Sequence, residues 1–276
     1  MALFDQHLHS HYSTDCEATP AAMVEAAVQA GLAGITFTDH FDTHPLEWPE
    51  CRYDYEGLRR EILPLRERYG DRIFIGHGIE VCYQPARMDL ILDYLAGREF
   101  DVVLLSVHWF DGRALHHREH WGGLDVRTAT QRYLDAVLDA AQFAGTLVRD
   151  GRRTFDVLGH IDLVKRYTKR WFDAFDVAPF ADRIDEILRA CLASDIIPEI
   201  NMSGLRQEVG ESFPAEEVVR RYAALGGRCM SIGSDAHAPA HVGAGLGTAV
   251  DMLRRGRIPS RAVFRRRQIE AMPVEP

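Results

Sequence analysis

The sequence alternates short apolar runs with amphipathic segments, and nearly every apolar run is followed closely by a histidine, carboxylate or amide side chain. Such runs are typical of buried strands, and the segments between them have the periodicity of helices. The strand-like runs lie at 3–4, 34–38, 73–75, 102–107, 155–158, 196–200 and 229–232, and the clearest helical segments at 20–30, 55–69, 127–148, 179–193 and 214–225. This alternation predicts β-then-α units with a parallel sheet.

The polar residues at the strand ends distinguish between two parallel architectures. An open doubly wound sheet collects its site at one switch point, from two or three strand ends. A closed barrel brings the carboxyl ends of all its strands to one mouth. Polar groups after seven runs therefore favour a barrel, and because no linker or repeat interrupts the chain, residues 1–276 are predicted to form a single domain.

Composition excludes several classes of function. The 276 residues include 41 acidic and 32 basic side chains, and a formal net charge of -9 argues against nucleic-acid binding. No apolar run approaches the roughly 18 residues of a membrane span, and the first residues lack a signal segment. Five scattered cysteines without a C-x-x-C pair fit a reducing cytoplasm. The basic segment 254–268 is interpreted as the solvated face of a terminal helix, with nucleic-acid contact as the alternative.

Pairs of potential metal ligands two residues apart recur along the chain. His7 and His9 are such a pair, and residues at this spacing project from the same face of a strand. The same spacing returns at three later strand ends: His160/Asp162, Glu199/Asn201 and Asp235/His237. As a set these pairs predict a metal centre.

Three further residues complete the predicted centre. Asp39 and His40 are adjacent, so only one of them can face the mouth; we expect His40 to be the ligand and Asp39 to support it. Glu80 has two oxygens with which to bridge two cations. His108 ends the most apolar run.

These motifs resemble the PHP superfamily. The matching segments, in order, are HLHS at 7–10, TDH at 38–40, GIE at 78–80, SVH at 106–108, GHID at 159–162, EIN at 199–201 and SDAH at 234–237. Within the superfamily, GHIDLVKRY at 159–167 and EINMSGLR at 199–206 resemble the histidinol-phosphatase family. The resemblance extends from residue 5 to about residue 250.

The resemblance implies a distorted seven-stranded, TIM-like (β/α)7 barrel with three divalent metal ions at the C-terminal mouth. The implied ligands are His7, His9, Glu80 and Asp235 for one ion, Glu80, His108 and His160 for a second, and Asp15, His40 and His237 for a third. Asp15 stands where many relatives have histidine, and His11 is an alternative ligand. Imidazole and carboxylate ligands without thiolate suit Zn, Mn or Fe.

The resemblance further implies a cytoplasmic phosphatase of histidine biosynthesis that hydrolyses L-histidinol phosphate through a metal-bridging hydroxide, as a monomer or a homodimer. Another small phosphate ester or a nucleotide is the alternative substrate. Glu80, Asp235 and His237 are the expected catalytic residues. The proton for the leaving alkoxide could come from Asp235, His241 or a metal-bound water.

Several residues are candidates for substrate binding. Arg206 is expected to make a bidentate contact with the phosphate, through two of its guanidinium nitrogens. Asn201 and Ser203 could bind substrate or hold metal ligands, and Lys165 is a further candidate. His117, in the segment 113–123, could contact an imidazole ring, although a solvated loop is an equally good interpretation of that segment.

Overall fold

A computed structural model describes residues 2–51, 53–174 and 178–274 and confirms the predicted α/β fold with a parallel sheet. The strands are β1 Phe4–Leu8, β2 Gly34–Phe37, β3 His40–Phe41, β4 Phe74–His77, β5 Ile79–Cys82, β6 Val103–Ser106, β7 Trp109–Phe110, β8 Arg113–Ala114, β9 Val157–Leu158, β10 Ile197–Asn201, β11 Cys229–Gly233, β12 Ser260–Arg265 and β13 Gln268–Pro273. The helices are α1 Pro20–Gln29, α2 Tyr55–Tyr69, α3 Met88–Leu95, α4 Val126–Arg149, α5 Val164–Phe172, α6 Ala181–Ser194, α7 Glu216–Ala224 and α8 Leu246–Gly256.

The main strands form two sheets in which neighbours pair in parallel, except for the antiparallel pair β12–β13. One sheet has the order β1-β2-β4, and the other has the order β13-β12-β11-β10-β9-β6-β5-β3. Strands β3 and β5 continue the paths of β2 and β4 after short interruptions. The carboxyl end of β1 also bonds to the segment after β11: His7 O accepts from the Asp235 N–H at 2.8 Å, and the His9 N–H donates to Ala236 O at 2.9 Å.

The predicted helix boundaries agree with the structure where local end signals are strong. The Thr19 hydroxyl accepts from the Ala22 N–H at 3.2 Å, and Pro20 occupies the first helical position of α1. Gly31, which follows the helix, has a φ of +69°, a conformation that glycine adopts without steric cost. Of the described helices, α3, α5 and α8 were not predicted, and none is long and apolar enough to span a bilayer.

The interpretation of 254–268 as a terminal helix is wrong. Helix α8 ends at Gly256, and Ser260–Arg265 is strand β12, parallel to β11 and antiparallel to β13. Ala262 and Phe264 are buried in an apolar cluster with Leu104 and Val157 of the main sheet. The arginines on either side hid this apolar strand centre in the sequence.

Candidate metal centre

The potential ligands lie at one edge of the sheet because they follow, or lie in, neighbouring parallel strands. His7 and His9 lie at the end of β1, His40 begins β3, and Glu80 belongs to β5. Four more come shortly after β6, β9 and β11, namely His108, His160, Asp235 and His237, and Asp15 lies in the segment between β1 and α1. Their ligand atoms converge in overlapping groups, among them His7/His9/Asp235, His9/His40/His237 and His40/Glu80/His108, whose members lie within 4.8 Å of one another.

Glu80 lies at the centre of this arrangement and is fully buried. Its Oε2 lies 2.8 Å from His40 Nδ1 and 3.4 Å from His7 Nε2. Its Oε1 lies 2.9 Å from His160 Nε2 and 3.4 Å from His108 Nε2. Each oxygen therefore faces two histidines, which is the geometry required of a carboxylate that bridges two cations.

Asp235 and Asp15 face the remaining histidines. Asp235 Oδ1 lies 3.2 Å from His9 Nε2 and 3.4 Å from His237 Nδ1. Asp15 Oδ2 lies 3.2 Å from His237 Nε2 and 3.7 Å from His40 Nε2. The structure thus brings all nine predicted ligands together.

The alternative ligand His11 points elsewhere. Its Nε2 lies 3.1 Å from Glu61 Oε1, at a half-exposed position on the surface. Asp15, rather than His11, is therefore the group placed beside His40 and His237.

The electrostatics of the cluster are those of a site built for cations. Although burial opposes ionisation, the surrounding histidines hold the pKa of Glu80 and of Asp235 well below the usual carboxyl range. Burial and repulsion from His237 and His40 lower the pKa of His9 to about 3. Two nitrogens, His7 Nε2 and His9 Nε2, are only 3.2 Å apart, so their lone pairs converge on one point.

The donor set fits divalent metal ions. Among the described residues, Glu80 Oε2 and His40 Nδ1 are buried and, although 2.8 Å apart, lack hydrogen-bond geometry with each other or with another group; a buried polar atom in that condition is costly unless a ligand satisfies it. Imidazole and carboxylate ligands are those that Zn, Mn and Fe accept.

Hydrogen bonds behind the ligands orient two imidazole rings on β1. His7 Nδ1 donates to Glu199 Oε1 at 2.7 Å, which leaves Nε2 free to face Glu80. His9 Nδ1 lies 3.0 Å from the Ser13 hydroxyl, which donates to Asp39 at 2.8 Å. Outer partners of this kind fix the tautomer of a metal-binding histidine. Asp39 therefore has the supporting position expected of it.

Asp42 supports His108 in the same way and was missed. Its Oδ2 lies 3.3 Å from His108 Nδ1, so the Nε2 of that ring faces Glu80. Asp42 stands two residues after His40, at the same spacing as the recognised pairs, and this spacing was the signal that could have identified it.

The two-residue spacing does not bring every pair into the cluster. Asp162 turns away from His160 because β9 ends at Leu158 and residues 161–163 form a turn. It pairs instead with Lys165 at 3.0 Å. At the end of β10, Glu199 lies behind His7, and Asn201 Nδ2 donates to Asp235 Oδ2 at 3.2 Å.

A cleft of about 580 Å³ opens over the cluster, and Arg206, Arg166 and Ser203 line one side of it. Arg206 donates to Ser234 O at 2.7 Å and to Asp235 O at 3.1 Å. Asp235 has a φ of +54°, which is unusual for a residue with a side chain, and Arg206 helps to hold that conformation. Arg166 donates to the Ser203 hydroxyl at 3.0 Å, and sequence analysis missed it although it follows Lys165 directly.

Three of the five predicted substrate contacts, Asn201, Lys165 and His117, are not among the residues that line the cleft. Lys165 is buried, and its Nζ lies 2.8 Å from Glu211 and 2.6 Å from Ser212 O. His117 is largely exposed and lies 3.1 Å from Glu119 Oε1. Its neighbour His116 lines the cleft instead, as does His241.

Comparison with known proteins defines the class to which this fold and site belong. The PHP domain profile matches residues 5–203, which include the ligands from His7 to His160. The chain therefore belongs to the PHP domain family.

Curated relatives match over most of the chain. A "Probable histidinol-phosphatase" of Deinococcus radiodurans is 29% identical over 259 residues, covering 91% of this chain and 93% of the relative. The "Histidinol-phosphatase" of Lactococcus lactis subsp. lactis is 27% identical, with 86% and 85% coverage.

Solved structures agree with this assignment. A crystal structure of histidinol phosphate phosphatase from Lactococcus lactis subsp. lactis, complexed with zinc, L-histidinol and phosphate, superposes with a TM-score of 0.84 at 26% identity, covering 97% of this chain and 98% of the other. A putative histidinol phosphatase from Listeria monocytogenes, at 20% identity and 89% and 99% coverage, shares the fold with a TM-score of 0.74.

Proposed function

We propose that this chain is a histidinol-phosphatase, which hydrolyses L-histidinol phosphate to L-histidinol and phosphate in histidine biosynthesis. The observation that carries the proposal is a buried histidine–carboxylate cluster at the floor of a cleft that two arginines line, Arg166 and Arg206. It is supported by the near full-length similarity to the Lactococcus lactis enzyme, whose crystal structure holds zinc, L-histidinol and phosphate.

The proposed cofactors are three divalent ions, Zn, Mn or Fe. His7, His9, Glu80 and Asp235 would hold one ion, Glu80, His108 and His160 a second, and Asp15, His40 and His237 a third. Bound divalent ions supply an activated water near neutral pH and stabilise the charge of a phosphoryl group during its transfer.

The chain's own groups would position the ester. Arg206 and Arg166 would bind phosphate oxygens from one side of the cleft, with the Ser203 hydroxyl between them. Asn201 would act through its hydrogen bond to Asp235, rather than on the substrate. Asp235 and His241 both line the cleft and, with a metal-bound water, are the candidates for protonating the leaving alkoxide. Because its pKa is held well below the usual carboxyl range, Asp235 could do so only after taking a proton from the attacking water.

We further propose that the strands close into a seven-stranded (β/α)7 barrel and that residues 1–276 are one domain. The seven strands of this barrel would be β1, β2 continued by β3, β4 continued by β5, β6, β9, β10 and β11. The backbone bonds from His7 and His9 to the segment after β11 support closure between β11 and β1. The proposed enzyme acts in the cytoplasm, as a monomer or a homodimer, on a small phosphate ester.

The test is phosphate release from L-histidinol phosphate, measured beside sugar phosphates, nucleotides and p-nitrophenyl phosphate. Each substrate is assayed with Zn, with Mn and after chelation. We expect a preference of about 10³ or more in kcat/KM for L-histidinol phosphate, or roughly 4 kcal/mol of differential transition-state binding. We also expect this activity to disappear on chelation and to be lost in Glu80→Gln.

Two results would contradict the proposal in different ways. Equal metal-dependent activity on the whole panel would assign the chain to another phosphoesterase of the same family. Activity that survives complete metal removal would refute the metal centre itself.

A further inference from the structure

One carboxylate in the cleft is not engaged with the metal-centre histidines. Among the described residues, the carboxylates that line the cleft are Asp15, Asp42, Glu47, Glu80 and Asp235. All of these except Glu47 lie against histidines of the cluster. Glu47 belongs to the segment between β3 and α2, on the wall of the cleft.

The Glu47 side chain is 18% exposed, but its Oε1 is buried and accepts no hydrogen bond from the described residues. The Trp109 indole lies beside the carboxylate without bonding Oε1, and His116 Nε2 is 3.4 Å from Oε1. Glu47 Oε2 accepts only from the weak donor Cys51 Sγ, at 3.4 Å. A buried carboxylate oxygen without a hydrogen-bond donor costs folding free energy. Glu47 Oε1 can therefore accept a hydrogen bond from a donor outside the chain.

The missing partner is a cation. Burial, with repulsion from His117 and His108, lowers the pKa of His116 to about 4, so His116 is neutral at pH 7 and does not balance the charge of Glu47. The structure records no ion pair between Glu47 and an arginine or lysine among the residues that it describes. Glu47 and His108 line the same cleft, which places Glu47 beside the metal centre.

We propose that Glu47 binds the protonated amine of the substrate and thereby selects phosphate monoesters of amino alcohols. This inference rests on the proposed function, since the cluster must hold the phosphate for Glu47 to reach the amine. In L-histidinol phosphate the amine is attached two carbons from the ester oxygen, so phosphate and ammonium occupy adjoining parts of one cleft. An ammonium has three N–H donors and full charge, which matches a carboxylate without donors.

The test compares two substrates that differ only in the amine: L-histidinol phosphate and its des-amino analogue, 3-(imidazol-4-yl)propyl phosphate. The wild-type chain is expected to prefer the amine-bearing ester by about 10- to 100-fold in kcat/KM, the range for a hydrogen bond to a charged group. Glu47→Gln is expected to lose that preference by lowering kcat/KM for the amine-bearing ester alone.

The matched control is Glu50→Gln, because Glu50 is an exposed carboxylate of the same segment that does not line the cleft. It is expected to retain the wild-type preference. Metal content and melting temperature are measured for each variant, so that a misfolded or metal-poor protein is recognised. A wild-type chain without amine preference, or a Glu47→Gln variant that loses activity equally on both esters, would overturn the inference.

Failure of the proposed histidinol-phosphatase function would give a different result from failure of the Glu47 inference. If p-nitrophenyl phosphate is hydrolysed as well as L-histidinol phosphate, the histidinol-phosphatase proposal fails. The role of Glu47 is then decided by a second pair, O-phosphoethanolamine and ethyl phosphate. A preference for the amine-bearing ester that Glu47→Gln abolishes supports the inference, and equal rates overturn it.

Discussion

Replacing Glu199 with glutamine is expected to weaken metal binding although Glu199 belongs to none of the proposed ligand sets. Its Oε1 accepts from His7 Nδ1 at 2.7 Å, and its Oε2 accepts from the backbone N–H of His160 at 3.0 Å. One buried carboxylate thus fixes a ligand ring on β1 and the chain that follows β9. A glutamine side chain has only one oxygen, so its NH2 group must face either His7 Nδ1 or the backbone N–H of His160.

The magnitude follows from those two contacts. Loss of an outer partner of a metal-binding histidine typically costs about 10- to 100-fold in metal affinity or activity. A tenfold loss corresponds to about 1.4 kcal/mol, and one buried donor left facing another adds about 1–3 kcal/mol of destabilisation. We therefore expect Glu199→Gln to bind metal about 10- to 100-fold more weakly and to unfold at lower denaturant concentration.

The assay titrates metal-free protein with Zn and with Mn and follows the recovery of phosphatase activity. Glu61→Gln is the matched control, since Glu61 also accepts from a histidine, His11 Nε2 at 3.1 Å, but on the surface and away from the cluster. The control should titrate as the wild type does. Wild-type metal affinity and activity in Glu199→Gln would refute the view that this carboxylate orients His7.

Three other predictions address the cleft, the metal and the sheet. Arg206→Ala, compared with the wild type at full metal loading because Arg206 also bonds the Asp235 backbone, should lower kcat/KM for the phosphate ester by about 10- to 100-fold, and unchanged kinetics would refute the phosphate contact. Chelation should abolish activity and lower the melting temperature, since metal at 100 times its Kd stabilises a folded protein by about 2.7 kcal/mol; a melting temperature indifferent to chelation would contradict this. Phe264→Ala should cost about 3–5 kcal/mol in urea unfolding because Phe264 is fully buried under the sheet, and a cost below about 1 kcal/mol would show that β12 contributes little to the core.

The convergence of the candidate ligands could be predicted from the sequence because it follows from regular strands. His7 of β1 and His9 directly after that strand lie on one face, and the parallel strands bring Glu80 of β5 to the same edge. Each of these positions depends only on strand period and strand direction, both of which can be read from the order of residues.

Position in the sequence can mark Asp39 and Asp42 as candidates, but which ligand each outer partner contacts could not be predicted in this way. Asp42 meets His108, 66 residues away, and Glu199 meets His7 across 192 residues. Which ring nitrogen each carboxylate contacts depends on side-chain rotamers and on the packing of neighbouring strands, neither of which has a signature in sequence spacing. The same holds for Glu47, whose significance is visible only once its cleft is formed.

The segment 159–167 shows why a motif cannot be read as a list of contacts. It supplies His160 to the metal cluster, Arg166 to the cleft and Lys165 to a buried contact with Asp162 and Glu211. Lys165 and Arg166 are neighbours on α5, where successive side chains point about 100° apart, and of these two residues Arg166 lines the cleft and Lys165 does not. Lys165 was the predicted substrate contact, but its Nζ bonds Glu211 and Ser212 O and so attaches α5 to the segment before α7.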